Sequence, residues 1–235
     1  MQEKWRLIDM ALAVVSAAIV AYGVLVLGWS VFVVIALFWF ENVIIGVFNV
    51  AKMLTSGARI GGYGLIAALA LATFFSVHYG MFAVGHGVLV VSLLGQTELG
   101  GSSSGLFAPL GRMLDYLLAD RDGWFAAAGI AMLQAAAFCR WWAATRAQRA
   151  LQPALLPALM FAPYGRIIIL HITIIVSGIL VAMLKLPILG ALLLVALKLV
   201  FDIFAVNTTA TRRSPMQAAR LNRFDVSSEG HARRP

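Results

Sequence analysis

Six apolar runs, each near the length needed to cross a bilayer, constrain this chain more than any other feature. A span needs about 20 apolar residues at roughly 1.5 Å per residue, and segments 6–27, 30–51, 63–94, 123–145, 163–184 and 187–206 meet that standard. Hydrocarbon offers no partner for backbone N–H and C=O groups, so such runs must bond internally as helices. The predicted fold class is therefore all-α, a polytopic bundle of six transmembrane helices. With 62% hydrophobic and 12% charged residues and a mean hydropathy of +0.92, a soluble domain is excluded as the reading of the composition. The third run is too long for the bilayer alone: a straight helix over it would approach 50 Å, so it is expected to project or to bend near Gly80, Gly85 and Gly87. The first run lacks a small-residue cleavage site and is read as a retained span rather than a signal peptide. No lipidation motif is found at either end.

Orientation follows from the basic residues. The net charge of +8 raises the question of nucleic acid, but fourteen of the eighteen Lys and Arg fall on one side of the expected bundle. They are Lys4, Arg6, Lys52, Arg59, Arg140, Arg146, Arg149, Arg166 and the six arginines of the tail. Arg112, Arg121 and Lys185 fall on the other, beside Glu98, Asp115, Asp120 and Asp122. Basic residues stay in the cytoplasm, which places both termini there, accounts for the charge without nucleic acid, and suits a bacterial inner membrane. Within the outer loop, apolar Leu106, Leu110, Met113, Leu114 and Leu117 recur at helical spacing. An amphipathic helix at about 105–119 is expected to lie in the interface, covering a cavity or bridging two spans. Residues 151–166 hold three prolines and read as an irregular connection. The chain divides into a transmembrane domain, 1–207, and a basic tail, 208–235, expected to be disordered or loosely at the membrane surface.

Six ionisable side chains fall inside the runs: Glu41, His78, His86, His171, Lys198 and Asp202. Each is costly in lipid and so is a functional candidate. Depth counting places Glu41 and His78 near the middle of spans two and three, His171 in the middle or inner half of span five, and Asp202 toward the inner end of span six, where the four can converge. His86 lies about 12 Å beyond His78 and about 80° around an unbroken helix, so both rings reach one ion only if the helix breaks at the glycines. Neutral imidazoles with carboxylates from separate helices are ligands that Zn²⁺ or Fe²⁺ would take. Glu41, His78, His86, His171 and Asp202 are thus the candidate metal ligands. The alternative is that the histidines donate to carbonyls and the acids are tied up by hydrogen bonds.

Three supporting residues surround this set. Lys198 and Asp202 are spaced i, i+4 and should neutralise each other. Arg166 anchors the inner end of span five, or reaches Asp202. Asn42, with Gly46 and Asn49, forms a small and polar stripe suited to close helix packing. Spans one and four look like peripheral scaffold. Other chemistries find no motif: there is no GxSxG elbow, phosphate loop or intramembrane-protease signature. The single Cys139 excludes an intramolecular disulfide and a CxxC site.

HYGMFxxGHG at 78–87, YGRIIILHITII at 164–175 and LLVALKLVFDI at 193–203 resemble the bacterial and archaeal integral membrane family catalogued as domain of unknown function 6498. The resemblance runs from span two through span six. It implies the membrane architecture and directs attention to His78, His86, Arg166, His171, Lys198 and Asp202, but supplies no reaction. Members carry a histidine a few residues after the Asp, where this chain has Asn207.

The residues support four readings. The first is a metal-binding membrane protein, with zinc or iron, acting on a lipid-soluble small molecule by oxidoreduction or hydrolysis. The second is a proton-coupled transporter using Glu41, His78, His171 and Asp202 as a relay. The third places histidine pairs as axial ligands of a haem. The fourth is an assembly or scaffold protein whose polar residues only join helices.

Overall fold

The structure, a computed structural model, describes residues 2–100, 105, 107–146, 155–165, 191–200, 202 and 203, with single positions 168, 172, 176 and 188. Among the described residues the helices are, in order, α1 (Gln2–Leu25), α2 (Val31–Ile60), α3 (Tyr63–Leu94), α4 (Gln96–Leu99), α5 (Ala108–Ala119), α6 (Arg121–Arg146) and α7 (Leu155–Phe161). A further apolar helical stretch covers Ala191–Val200. No strand occurs among the described residues. Three helices, α2, α3 and Arg121–Thr145 of α6, are long and apolar enough to cross a membrane, and Met10–Leu25 and Ala191–Val200 are shorter apolar helices. These agree with the all-α expectation. Most of the expected fifth span, 163–184, lies outside the described residues, as does the tail.

Helix α2 is the centre of the bundle. Ser30 caps its start, the hydroxyl oxygen accepting from the Val33 N–H at 3.4 Å, which satisfies one of the donors a helix end leaves open. Every residue from Val31 to Trp39 is buried. A helix apolar on all sides belongs inside other helices, and α3, α5, α6 and α7 all pack against α2. It runs well past the expected end at residue 51, because nothing between Lys52 and Ile60 breaks a helix. The stop is Gly61, whose φ of +77° and following Gly62 at +47° turn the chain into α3.

That turn brings α2 and α3 into backbone contact. A Cβ at Gly57 would lie 2.2 Å from Ala68 Cβ and 2.9 Å from the Gly64 carbonyl oxygen. Farther along the same seam, a Cβ at Gly46 would lie 2.7 Å from the Tyr79 ring. Small residues here set the distance between the helices. By contrast α3 turns Ile66, Leu69, Phe74, Val77 and Met81 outward. Large exposed apolar side chains along a helix long enough to span suit contact with lipid.

Helix α3 is helical without interruption from Tyr63 to Leu94. The break at Gly80, Gly85 and Gly87 that a shared ion for His78 and His86 requires is absent. The outer helix forms as α5, shorter at its start than expected because Phe107 still lies outside it and Pro109 is in its first turn. It buries Leu110, Met113 and Leu117 against the bundle, with Leu110 pressed onto the Cα of Gly87 so closely that a Cβ there would meet Leu110 Cδ2. Arg112 donates to the carbonyls of Leu99 and Gly100 and fastens α5 to the end of α4.

Two apolar clusters form the core. One joins Val20 and Val24, Val31–Trp39, Val90 and Val91, Leu110, Met113 and Leu117, Ile130 and Leu194. The other joins Met53, Ala72, Phe75, Tyr79, Leu159 and Met160. Glu41 lies on the stretch of α2 between them.

Candidate functional site

The polar centre of the molecule is an ammonium shared by two carboxylates. Glu41 follows directly on the buried start of α2 and is itself 3% exposed. Its Oε2 lies 3.0 Å from Lys198 Nζ, and the same nitrogen lies 2.7 Å from Asp202 Oδ2. Lys198 also sits 5.3 Å from the centroid of the Phe38 ring, a favourable place for a desolvated cation. The i, i+4 spacing puts Lys198 and Asp202 on one face of their segment, so that pair is local. Of the two ion pairs, the one with Glu41 joins separate helices.

Glu41 is held on its other side by α6. Gln134 Nε2 donates to Glu41 Oε1 at 3.0 Å, so both carboxylate oxygens are engaged. Span four, expected as peripheral scaffold, thus contributes directly to the site. Gln134 was not among the sequence candidates. The available sign was an amide in the middle of an otherwise Ala-rich apolar helix.

Neighbouring polar side chains on α2 serve packing. Asn42 Nδ2 donates to the Phe38 carbonyl at 2.8 Å, and the Asn42 carbonyl accepts from Tyr79 Oη at 2.9 Å. Asn49 Nδ2 donates to the Leu159 carbonyl at 2.9 Å, joining α7 to α2. The bonds from Tyr79 and to Leu159 cross between helices, as a small and polar stripe makes possible, and the Asn42–Phe38 bond stays within α2.

The histidines occupy different surroundings. His78 Nδ1 is hydrogen-bonded to Tyr164 Oη at 3.0 Å, with Phe74 stacked at 5.4 Å and Phe82 at 5.1 Å between ring centroids. His86 Nδ1 donates to the Phe82 carbonyl, one turn earlier on its own helix, at 2.7 Å. Trp39 Nε1 donates to the adjacent Ala83 carbonyl at 2.6 Å. Among the described residues no group of three or more His, Cys, Asp or Glu is placed to hold a metal ion. Glu41 and Asp202 converge on an ammonium, and His171 and Arg166 lie outside the described residues.

The arrangement can store and redirect charge. A carboxylate that gains a proton loses most of its hold on an ammonium, and an ammonium held by two carboxylates keeps the second when the first is neutralised. The Glu41–Lys198 contact ties α2 to the C-terminal helical stretch, and the Lys198–Asp202 contact lies within that stretch.

Set against known proteins, the chain matches a family model described as a family of unknown function (DUF6498) over residues 1–220. Neither a curated protein nor a solved structure matches it.

Proposed function

The chain belongs to the DUF6498 family of unknown function, and we propose that it is a multi-pass membrane transporter in which proton binding at Glu41 controls the contact between α2 and the helix carrying Lys198. The observation that carries this reading is the placement of Lys198 Nζ within 3.0 Å of Glu41 and 2.7 Å of Asp202. Charged side chains inside a membrane bundle are costly and mark ion and proton pathways. The inter-helix half of this network depends on the charge of Glu41; the local half does not. Proton uptake from one face weakens the Glu41–Lys198 contact and separates the two helices at mid-bundle. Proton release restores it. That two-state contact is the element alternating access requires.

The architecture completing this reading is a six-span bundle with both termini cytoplasmic, in a bacterial inner membrane. The transported solute is a small molecule, and a lipid-soluble one remains compatible with the apolar outer face of α3. The test uses full-length protein in liposomes loaded with a pH-sensitive dye, with a panel of small solutes added outside. A solute that moves protons in wild-type vesicles and not in Glu41→Gln vesicles supports the proposal. Equal proton movement in the two sinks it.

A further inference from the structure

Beyond Glu41, α2 and α6 continue as a seam of a different character. Phe48 and Phe138 meet at 5.5 Å between ring centroids. Lys52 Nζ stands 5.9 Å from the centroid of Trp141. Arg59 Nη1 donates to Thr145 Oγ1 at 3.0 Å, with the guanidinium carbon 5.6 Å from the centroid of Trp142. From Gln134 and Glu41 onward, these contacts advance in the same order along both helices. The two therefore run parallel, and their C-terminal ends finish side by side.

Lys52 and Arg59 are seven residues apart and so lie on one stripe of α2, about two turns from each other. Their aromatic and hydroxyl partners come from consecutive turns of α6. Arg59 lies in the last turn of α2, and among the described residues it meets a hydroxyl and a ring but no carboxylate. The hydroxyl is itself oriented, since Thr145 Oγ1 donates to the Trp141 carbonyl at 2.9 Å and turns a lone pair toward Arg59. One N–H is thus spent on fixing the guanidinium, and no carboxylate among the described residues neutralises its charge. The same helix exposes Phe125, Met132 and Trp142, large apolar surfaces that suit acyl chains. A cation clamped at a helix end beside exposed tryptophan matches the boundary between headgroups and hydrocarbon.

We propose that this end of the α2–α6 seam binds the phosphate of an anionic phospholipid, with Arg59 as the phosphate contact and Trp142 against the glycerol and upper acyl chain. The planar guanidinium fork suits a phosphate, and an anionic leaflet attracts basic residues at its surface. A simpler role for Arg59, balancing the negative end of the α2 dipole, requires charge but no fork and no particular lipid.

The test uses full-length protein in nanodiscs of phosphatidylcholine with increasing fractions of phosphatidylglycerol, read by the thermal unfolding midpoint. The wild-type midpoint is expected to rise and saturate with phosphatidylglycerol. Arg59→Gln should need about tenfold more of it, the scale of losing a hydrogen bond to a charged group, and Arg59→Lys should fall between. Thr145→Val keeps the charge, loses its orientation, and should also weaken the response, which covers the case of an Arg59→Gln protein that does not insert. A wild-type midpoint insensitive to phosphatidylglycerol overturns the proposal. So does an Arg59→Lys or Thr145→Val protein indistinguishable from wild type, or an equal rise from inorganic phosphate in pure phosphatidylcholine discs.

Discussion

Gln134 and Glu41 meet at 3.0 Å across α6 and α2, so the carboxylate that faces Lys198 is steered by an uncharged amide on a third element. Replacing Gln134 with Leu removes a hydrogen bond to a charged acceptor, worth about 1.5–3 kcal/mol. The expected result is a lower unfolding midpoint in detergent with the Glu41–Lys198 contact retained.

Lys198→Met is the more damaging change. It leaves the Glu41 and Asp202 carboxylates without the ammonium they share, and breaking a buried ion pair from one side costs about 3–5 kcal/mol. Adding Glu41→Gln to Lys198→Met should recover part of that loss, because one of the two carboxylate charges that Lys198 offset disappears. A double-mutant cycle on thermal stability checks this; strictly additive losses would show that the two side chains do not act together.

Two classes of glycine should respond oppositely to alanine. At Gly57 an added methyl meets Ala68 at 2.2 Å, so Gly57→Ala must push α2 and α3 apart, an overpacking cost of roughly 1–3 kcal/mol. At Gly80 and Gly85 an added Cβ meets nothing within 4 Å. Alanine there should stabilise the helix by about 0.5–1 kcal/mol. Midpoints of the three variants in one detergent make the comparison.

Metal content tests the carboxylates as ligands. With Glu41 and Asp202 drawn to one ammonium, zinc or iron in protein purified without chelators should be the same for wild type and Glu41→Gln by elemental analysis. Metal that disappears with Glu41→Gln, or with His78→Ala and His171→Ala together, would instead support the metal-centre reading. Visible absorption of the same samples tests for haem.

The proposed topology is checked by labelling. After Cys139→Ser, single cysteines at Ser103 and Ser227 should react with a membrane-impermeant thiol reagent from opposite faces of sealed vesicles, following the distribution of Lys and Arg. Labelling of both from one face contradicts the six-span arrangement.

The apolar runs made α2, α3 and α6 legible, because twenty-odd consecutive apolar residues admit one kind of structure. Lys198 with Asp202 was legible for a similar reason: spacing on one helix fixes adjacency. The partner of Lys198 across the bundle was not, since depth counting says which residues share a layer but not which way each helix is rotated. That rotation decides that Glu41 meets Lys198 and Gln134, while His78 meets Tyr164. His86 illustrates another limit. Its ring could be read as a metal ligand or as a donor to a carbonyl, and Nδ1 finds the Phe82 carbonyl on the same helix, a local solution that an i, i+4 count allows but does not require. The overrun of α2 to Ile60 went unread because polar Lys52, Ser56 and Arg59 end an apolar run without ending a helix.

The pairing of Glu41 with Lys198 also sets an order of events during biogenesis. Helices α2 and α3 are joined by the tight Gly61–Gly62 turn and can enter the bilayer together as a hairpin soon after synthesis. Lys198 is made about 150 residues after Glu41, which at 5–20 residues per second is an interval of roughly 8–30 s. Throughout it, an acidic residue that insertion scales penalise by about 2.5–3.5 kcal/mol at a helix centre is in the membrane without Lys198. Arrival of the helical stretch carrying Lys198 relieves that penalty, so a chain truncated before Lys198 should be held by the insertion machinery or degraded.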